Sequence, residues 1–153
     1  MTQPEETQNV EQKQKTIYEL IKENPHPALQ IVLRGLQSIK DRLENGADVI
    51  VRIGENPPFV VAETKNVVLV VEHVITGNNR ELTRFTLRKA KQSVDMAELF
   101  LKSYTLPYDE KIVGSLTIAI ARAIKDYFYF GSISFDEEIP SIIHYIKDLI
   151  NKQ

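Results

Sequence analysis

The fold of this chain is decided by residues 48–76, which read DVIVRIGENPPFVVAETKNVVLVVEHVIT. Val49, Val51 and Ile53 alternate with their neighbours, and this period of two predicts a strand that is buried on one face. Residues 59–64 and 67–76 predict two more strands, because β-branched residues dominate them and turn signals lie at residues 55–58 and 65–66. The stretch therefore predicts an antiparallel meander.

The pairing of these strands follows from the turn lengths. A two-residue turn at residues 65–66 places Ala62 opposite Leu69 and Val60 opposite Val71 on one face of the sheet, which we expect to face the core. That face is joined by Val49, Val51, Ile53, His73, Phe85 and Leu87. The opposite face, called the second face below, collects the charged residues Asp48, Arg52, Glu63, Lys65, Glu72, Arg84 and Arg88. A three-residue turn after residue 76 would put Glu72 directly opposite Arg84.

Helices are predicted both before and after the meander along the chain. A short apolar stripe from Ile17 to Ile21 stops before Asn24-Pro25, and a longer one runs from Leu29 to Leu43 and ends at Asn45-Gly46. Beyond the sheet, Asp109 is suited to cap a helix through Phe130, with Gly131 as its terminator. The first half of that helix is apolar nearly all round, which is typical of a helix in the middle of a domain or at a subunit contact. A last helix is predicted from Ile139 to Asn151.

Residues 80–104 fit two patterns. Thr83, Phe85 and Leu87 alternate as in a strand, whereas Leu87, Ala90, Val94, Ala97, Leu101 and Tyr104 follow a helical spacing of three and four. We interpret residues 81–87 as a strand and the following residues as a helix, capped at Ser93 and ending near Tyr104.

The whole pattern predicts a single α+β domain over residues 16–153. It contains two N-terminal helices, an antiparallel β-meander of three to four strands, and three C-terminal helices packed on the sheet. Residues 1–15 are predicted to form a flexible polar tail.

The composition of the chain excludes several kinds of functional site. The 153 residues include 19 basic and 21 acidic side chains, for a net charge of −2, and no cysteine. Disulfides, thiolate zinc sites, iron–sulfur clusters and cysteine nucleophiles are thereby excluded. No apolar run approaches the roughly 18 residues of a membrane helix, so we expect no membrane partner and a cytoplasmic protein. No cofactor is expected either.

One constellation on the second face suggests catalysis. Asp48, followed by Glu63-Thr64-Lys65, resembles the signature of the PD-(D/E)xK nucleases. The resemblance implies that the two carboxylates hold Mg²⁺ and that the lysine steadies the attacking water or the developing negative charge. The alternative interpretation is a solvated sheet face on which opposite charges pair across strands.

A second constellation is basic. Arg80, Arg84, Arg88, Lys89 and Lys91 could neutralise phosphates of a nucleic acid, with a steep dependence on salt. The alternative is a solvated charged edge that protects the sheet against aggregation.

The chain has more apolar residues than one small sheet and its helices need to form a core. In addition, residues 127–130 are four consecutive aromatics at a helix end. We therefore expect a homo-oligomer, most simply a dimer, or another protein partner. The function we favour is a non-enzymatic cytoplasmic module that acts through protein contacts. The alternative is a nucleic-acid-binding protein, including a divalent-metal nuclease with Asp48, Glu63 and Lys65 at its centre. A third possibility, a carrier of apolar ligands, requires a cavity between the sheet and the long helix.

Overall fold

The computed structural model describes residues 15–90 and 101–153, which form an α+β fold. Its helices are α1 (Ile17–Glu23), α2 (Pro27–Glu44), α3 (Glu110–Phe130) and α4 (Glu138–Asn151). Its strands are β1 (Ile50–Glu55), β2 (Pro58–Glu63), β3 (Val67–Ile75), β4 (Glu81–Lys89) and β5 (Leu101–Pro107). The predicted α+β class is confirmed, and the counts of helices and strands differ from the prediction.

The helix boundaries follow from the capping residues. The side chain of Asp109 accepts a 2.8 Å hydrogen bond from the backbone N–H of Lys111, which satisfies an N-terminal donor of α3. Gly131 ends the same helix at φ 73°, a left-handed conformation that glycine adopts without steric cost. At the start of α2, the Nδ1 atom of His26 accepts a 3.1 Å hydrogen bond from the N–H of Ala28.

The five strands form one antiparallel sheet in chain order. Ala62 pairs with Leu69 and Val60 with Val71, so the predicted register of β2 and β3 is confirmed. Gly54 pairs with Phe59, which is the register that a turn over residues 55–58 requires. Among the described residues, β1 is one edge of the sheet and pairs with β2 alone.

The core lies between the helices and one face of the sheet. The buried core cluster joins helix residues with Val60, Leu69, Val71 and Phe85 of the predicted core face and with Leu106 of β5. α2 lies over β3, β4 and β5, α3 lies over β2 and β3, and α4 packs on α3. α2 and β3 lie so close at Gly35 that a Cβ atom built on this residue would be only 2.7 Å from Leu69 Cδ2.

The predicted helix that ends near Tyr104 is wrong for its last residues, since residues 101–107 form β5. Tyr104 pairs with Phe85 and Leu106 with Thr83, so β5 completes the sheet along β4. The fifth strand replaces the C-terminal part of that helix, and two helices follow the sheet in the described part of the chain. Ser93 and the rest of residues 91–100, like residues 1–14 of the predicted tail, lie outside the described residues.

One further property concerns membranes. Within residues 15–90 and 101–153, no helix combines the length and the apolar character needed to cross a bilayer.

Candidate interaction surface

The residues of the nuclease-like signature lie at one end of the β1–β2 hairpin. Glu63 pairs with Ile50 at that end, Asp48 precedes Ile50 by two residues, and Lys65 follows Glu63 by two residues in the turn before β3. Asp48 and Lys65 are exposed and Glu63 is half-buried. In the described residues, no three His, Asp or Glu side chains gather in a group that could hold a metal ion. The role of the signature remains a prediction.

Thr64, between Glu63 and Lys65, builds the turn. Its buried hydroxyl accepts a 3.1 Å hydrogen bond from the N–H of Val67 and lies 3.0 Å from the hydroxyl of Ser38 on α2. The turn is therefore fixed against the helix layer by contacts that hold whether or not the flanking charges have a catalytic role.

The basic residues are divided among different parts of the sheet. Arg84 and Arg88 lie on the second face of β4, Arg80 lies in the turn before it, and Lys89 pairs with Val67 at its end. Lys91 lies outside the described residues. The predicted pairing of Glu72 with Arg84 is confirmed: the Nε atom of Arg84 donates a 3.1 Å hydrogen bond to Glu72. One of these basic side chains is therefore already paired with a carboxylate.

His73 lies on the core face of β3, opposite Thr83. Its ring stacks on Tyr108, with ring centroids 3.7 Å apart, and its Nε2 atom lies 3.2 Å from a carboxylate oxygen of Glu81. Burial is the main reason that the pKa of the Tyr108 phenol is raised, and the nearby acidic residues Glu110, Glu81 and Asp109 add to the shift. These contacts tie the third strand to the start of α3.

Two open grooves lie beside α1 and α2. One, of about 610 Å³, is bordered by Tyr18, Arg34, Arg42 and Asn66; the other, of about 570 Å³, reaches Phe135. No residue of α3 lines either groove. They are therefore not the space between the sheet and the long helix that the apolar-carrier interpretation requires.

The long helix α3 carries an apolar surface on its outer side. Ile112, Leu116, Ala119, Ile120 and Ala123 are buried in the core. From Gly114 onwards, and at 100° per residue, Ala121 and the six residues within 60° of it lie on the side facing away from this core. We call them the α3 stripe: Gly114, Thr117, Ile118, Ala121, Ile124, Lys125 and Phe128. All are exposed except Thr117, which is half-buried.

The stripe ends in a cluster of exposed aromatic rings. The exposed fractions are 82% for Phe128, 67% for Tyr129 and 78% for Phe130. The rings of Phe128 and Tyr129 meet edge to face, with centroids 5.6 Å apart. Tyr127, by contrast, packs partly against the core. Three of the four aromatic residues at this end of α3 are therefore exposed.

Charge is scarce on this surface. Lys125 is the charged residue of the stripe, and Glu110 lies on the same side of α3 in its first turn. Arg122, just beside the stripe, donates hydrogen bonds of 3.3 and 3.2 Å to Glu137 and Glu138 at the start of α4. Contiguous exposed apolar surface with so few charges is the usual mark of a contact site for another protein.

Comparison of the chain with known protein families, curated proteins and solved structures finds no match in any of the three.

Proposed function

We propose that this chain is a small non-enzymatic cytoplasmic module that acts through protein–protein contacts, and that the α3 stripe with Tyr129 is its contact surface. The single observation that carries the proposal is the exposure of Phe128. Its exposed fraction is 82%, and it lies on the same side of α3 as Ile118 and Ile124. A partner that covers a large apolar side chain gains roughly 1.5–3 kcal/mol for each one.

The shape of the surface supports this assignment. α3 is a rigid 21-residue helix, held by the core on one side and by α4 on another. Its outer residues are therefore preorganised, and a partner that binds them does not have to order a loop. An apolar helical face of this kind is suited to packing against a second helix.

The test is the size of the full chain in an extract of the cells that make it. We expect a species larger than the 17.5 kDa monomer, and we expect Ile118→Asp to shift it to the monomer position. Ile75→Asp is the matched control, because Ile75 is 56% exposed and Ile118 is 54% exposed, but Ile75 lies at the end of β3. A chain that elutes as a monomer, or a complex that Ile118→Asp leaves intact, would refute the proposal.

A further inference from the structure

The α3 stripe has the spacing of a helix–helix seam. Gly114, Ile118, Ala121, Lys125 and Phe128 follow one another at intervals of four, three, four and three residues. This alternation keeps side chains on one line along a helix and is the spacing by which two helices pack along their length. The natural partner for such a line is another helix with complementary side chains.

The line is complementary to itself when reversed. If a second copy of α3 runs antiparallel with Ala121 opposite Ala121, then Phe128 lies opposite Gly114, and Ile118 lies opposite Ile124. A Cβ atom built on Gly114 would meet nothing within 4 Å, so this position leaves room for an aromatic ring. The largest side chain of the stripe thus meets its smallest residue, at both ends of the seam.

A parallel arrangement lacks this match. It would place Phe128 against Phe128, Gly114 against Gly114, and the two Lys125 side chains against each other. In the antiparallel arrangement, Lys125 lies opposite Thr117, and the two lysines are separated along the axis by eight residues, or about 12 Å. That distance exceeds the screening length of about 8 Å at physiological salt, so their repulsion is small. The dipoles of the two antiparallel helices also attract each other.

The exposed area is in the range that a dimer needs. With about 200 Å² for a full aromatic side chain, Phe128 and Tyr129 expose about 300 Å² per chain. Two copies therefore contribute about 600 Å², which is half of the roughly 1,200 Å² at the lower end of specific interfaces. Ile118, Ile124 and the helix backbone around Gly114 and Ala121 are available for the other half.

We propose that the partner covering the α3 stripe is a second copy of this chain, packed α3 against α3 in antiparallel orientation about Ala121, with Phe128 of each copy seated on Gly114 of the other. This inference rests on the proposed function and specifies its partner. The interface is isologous, since the same stripe is used by both copies, and it closes at two chains.

The absence of cysteine from the chain permits a direct test by disulfide cross-linking of the full chain. Ala121→Cys should give a cross-linked dimer under mild oxidation, because the two residues meet at the symmetry axis within disulfide distance. Thr117→Cys mixed with Lys125→Cys should cross-link to each other, whereas each alone should not. Efficient cross-linking of Thr117→Cys to itself would overturn the antiparallel arrangement.

Light scattering of the purified chain completes the test. We expect a mass of two chains, and we expect Gly114→Leu, which fills the seat of Phe128, to weaken association about tenfold or more while circular dichroism remains unchanged. A dimer indifferent to Gly114→Leu would overturn the inference. So would a purified chain that stays monomeric; if the extract still contained an Ile118-dependent complex, the proposed function would stand with a different partner.

Discussion

The carboxylate of Glu44 accepts a 2.9 Å hydrogen bond from the backbone N–H of Ile133, a residue 89 positions later in the chain. The same oxygen accepts a 2.8 Å bond from Lys40, whose Nζ also donates to the carbonyl of Ile133. These bonds join the C-terminal end of α2 to the segment between α3 and α4. They hold the end of α3, and thus its aromatic cluster, in place.

We predict that Glu44→Ala lowers the free energy of unfolding by about 1–3 kcal/mol, because it leaves the N–H of the buried Ile133 without its acceptor. Glu44→Gln, which retains an acceptor, should cost less. Urea unfolding at pH 7 measures both. Glu55→Ala, at an exposed position at the end of β1, is the control and should change stability by less than about 0.5 kcal/mol.

The contribution of Glu44 should depend on pH. Burial alone would raise its pKa, but the hydrogen bonds from Lys40 and Ile133 and the charge of Lys40 outweigh burial, so the pKa is lowered from its ordinary 4.5. A lowered pKa in the folded chain means stabilisation that is present above pH 4.5 and is lost as the pH falls through the folded-state pKa. The difference between the wild type and Glu44→Ala should therefore shrink on acidification; a constant difference from pH 7 to 3 would contradict the assignment.

His26 predicts a second pH effect, in a higher range. Its Nδ1 atom caps α2 only when unprotonated, and burial lowers its pKa below 6.5. Because the folded-state pKa is the lower one, the stabilisation is present above pH 6.5 and is lost as the pH falls through the folded-state pKa. His26→Ala should cost about 1 kcal/mol at pH 8, as for other N-caps. His26→Asn should retain the cap and flatten the profile between pH 5 and 8.

Substitution of two helical glycines by alanine should change the folding stability in opposite directions. Gly35→Ala brings a methyl group to 2.7 Å from Leu69 in the core, and we expect a loss of about 1–3 kcal/mol from overpacking. Gly114→Ala adds its methyl group to open space on α3, where alanine favours the helix by roughly 0.5–1 kcal/mol. Thermal unfolding of dilute protein measures both changes, and a stabilising Gly35→Ala would contradict the close packing of α2 on β3.

The nuclease-like signature has its own test. We expect the purified chain to show no Mg²⁺-dependent cleavage of DNA or RNA and no binding to either at low salt. The alternative function requires such cleavage and its loss in Glu63→Ala and Lys65→Ala, with Glu55→Ala as a control that retains it. Cleavage with that dependence would replace the proposed function.

The register of β2 and β3 was predictable because the turn between them allowed little choice. Residues 65–66 form a two-residue turn, and a one-residue shift would have exposed the apolar residues of both neighbouring strands, including Val60, Val71 and Leu69. Predicting β5 was harder. Tyr104 and Leu106 do alternate towards the core, but Leu101 and Tyr104 also continue a helical spacing. Pairing with β4 decides between these patterns, and that interaction is not local in sequence.

The contact surface was only partly predictable. The sequence indicated that α3 is apolar on most sides and ends in four aromatics, which suggested a subunit contact. The spacing of Ile112, Leu116 and Ile120 indicated one apolar line, but Ile118 is as apolar as Ile120, so the sequence could not show that Ile118 is left uncovered. The sheet and α4 take the side of Ile120, and Ile118 is left exposed.

β1 is an edge strand, and this has a consequence for handling the protein. One row of its backbone N–H and C=O groups faces away from β2, and its side chains Ile50 and Ile53 are each 54% exposed. Such an edge can add a strand from another molecule and start a growing β-aggregate. The charged side chains of this short strand, Arg52 in its middle and Glu55 at its end, oppose such growth. Variants that neutralise Arg52 should therefore form fibrillar or amorphous precipitate sooner on storage than the wild type, even where their folding stability is unchanged.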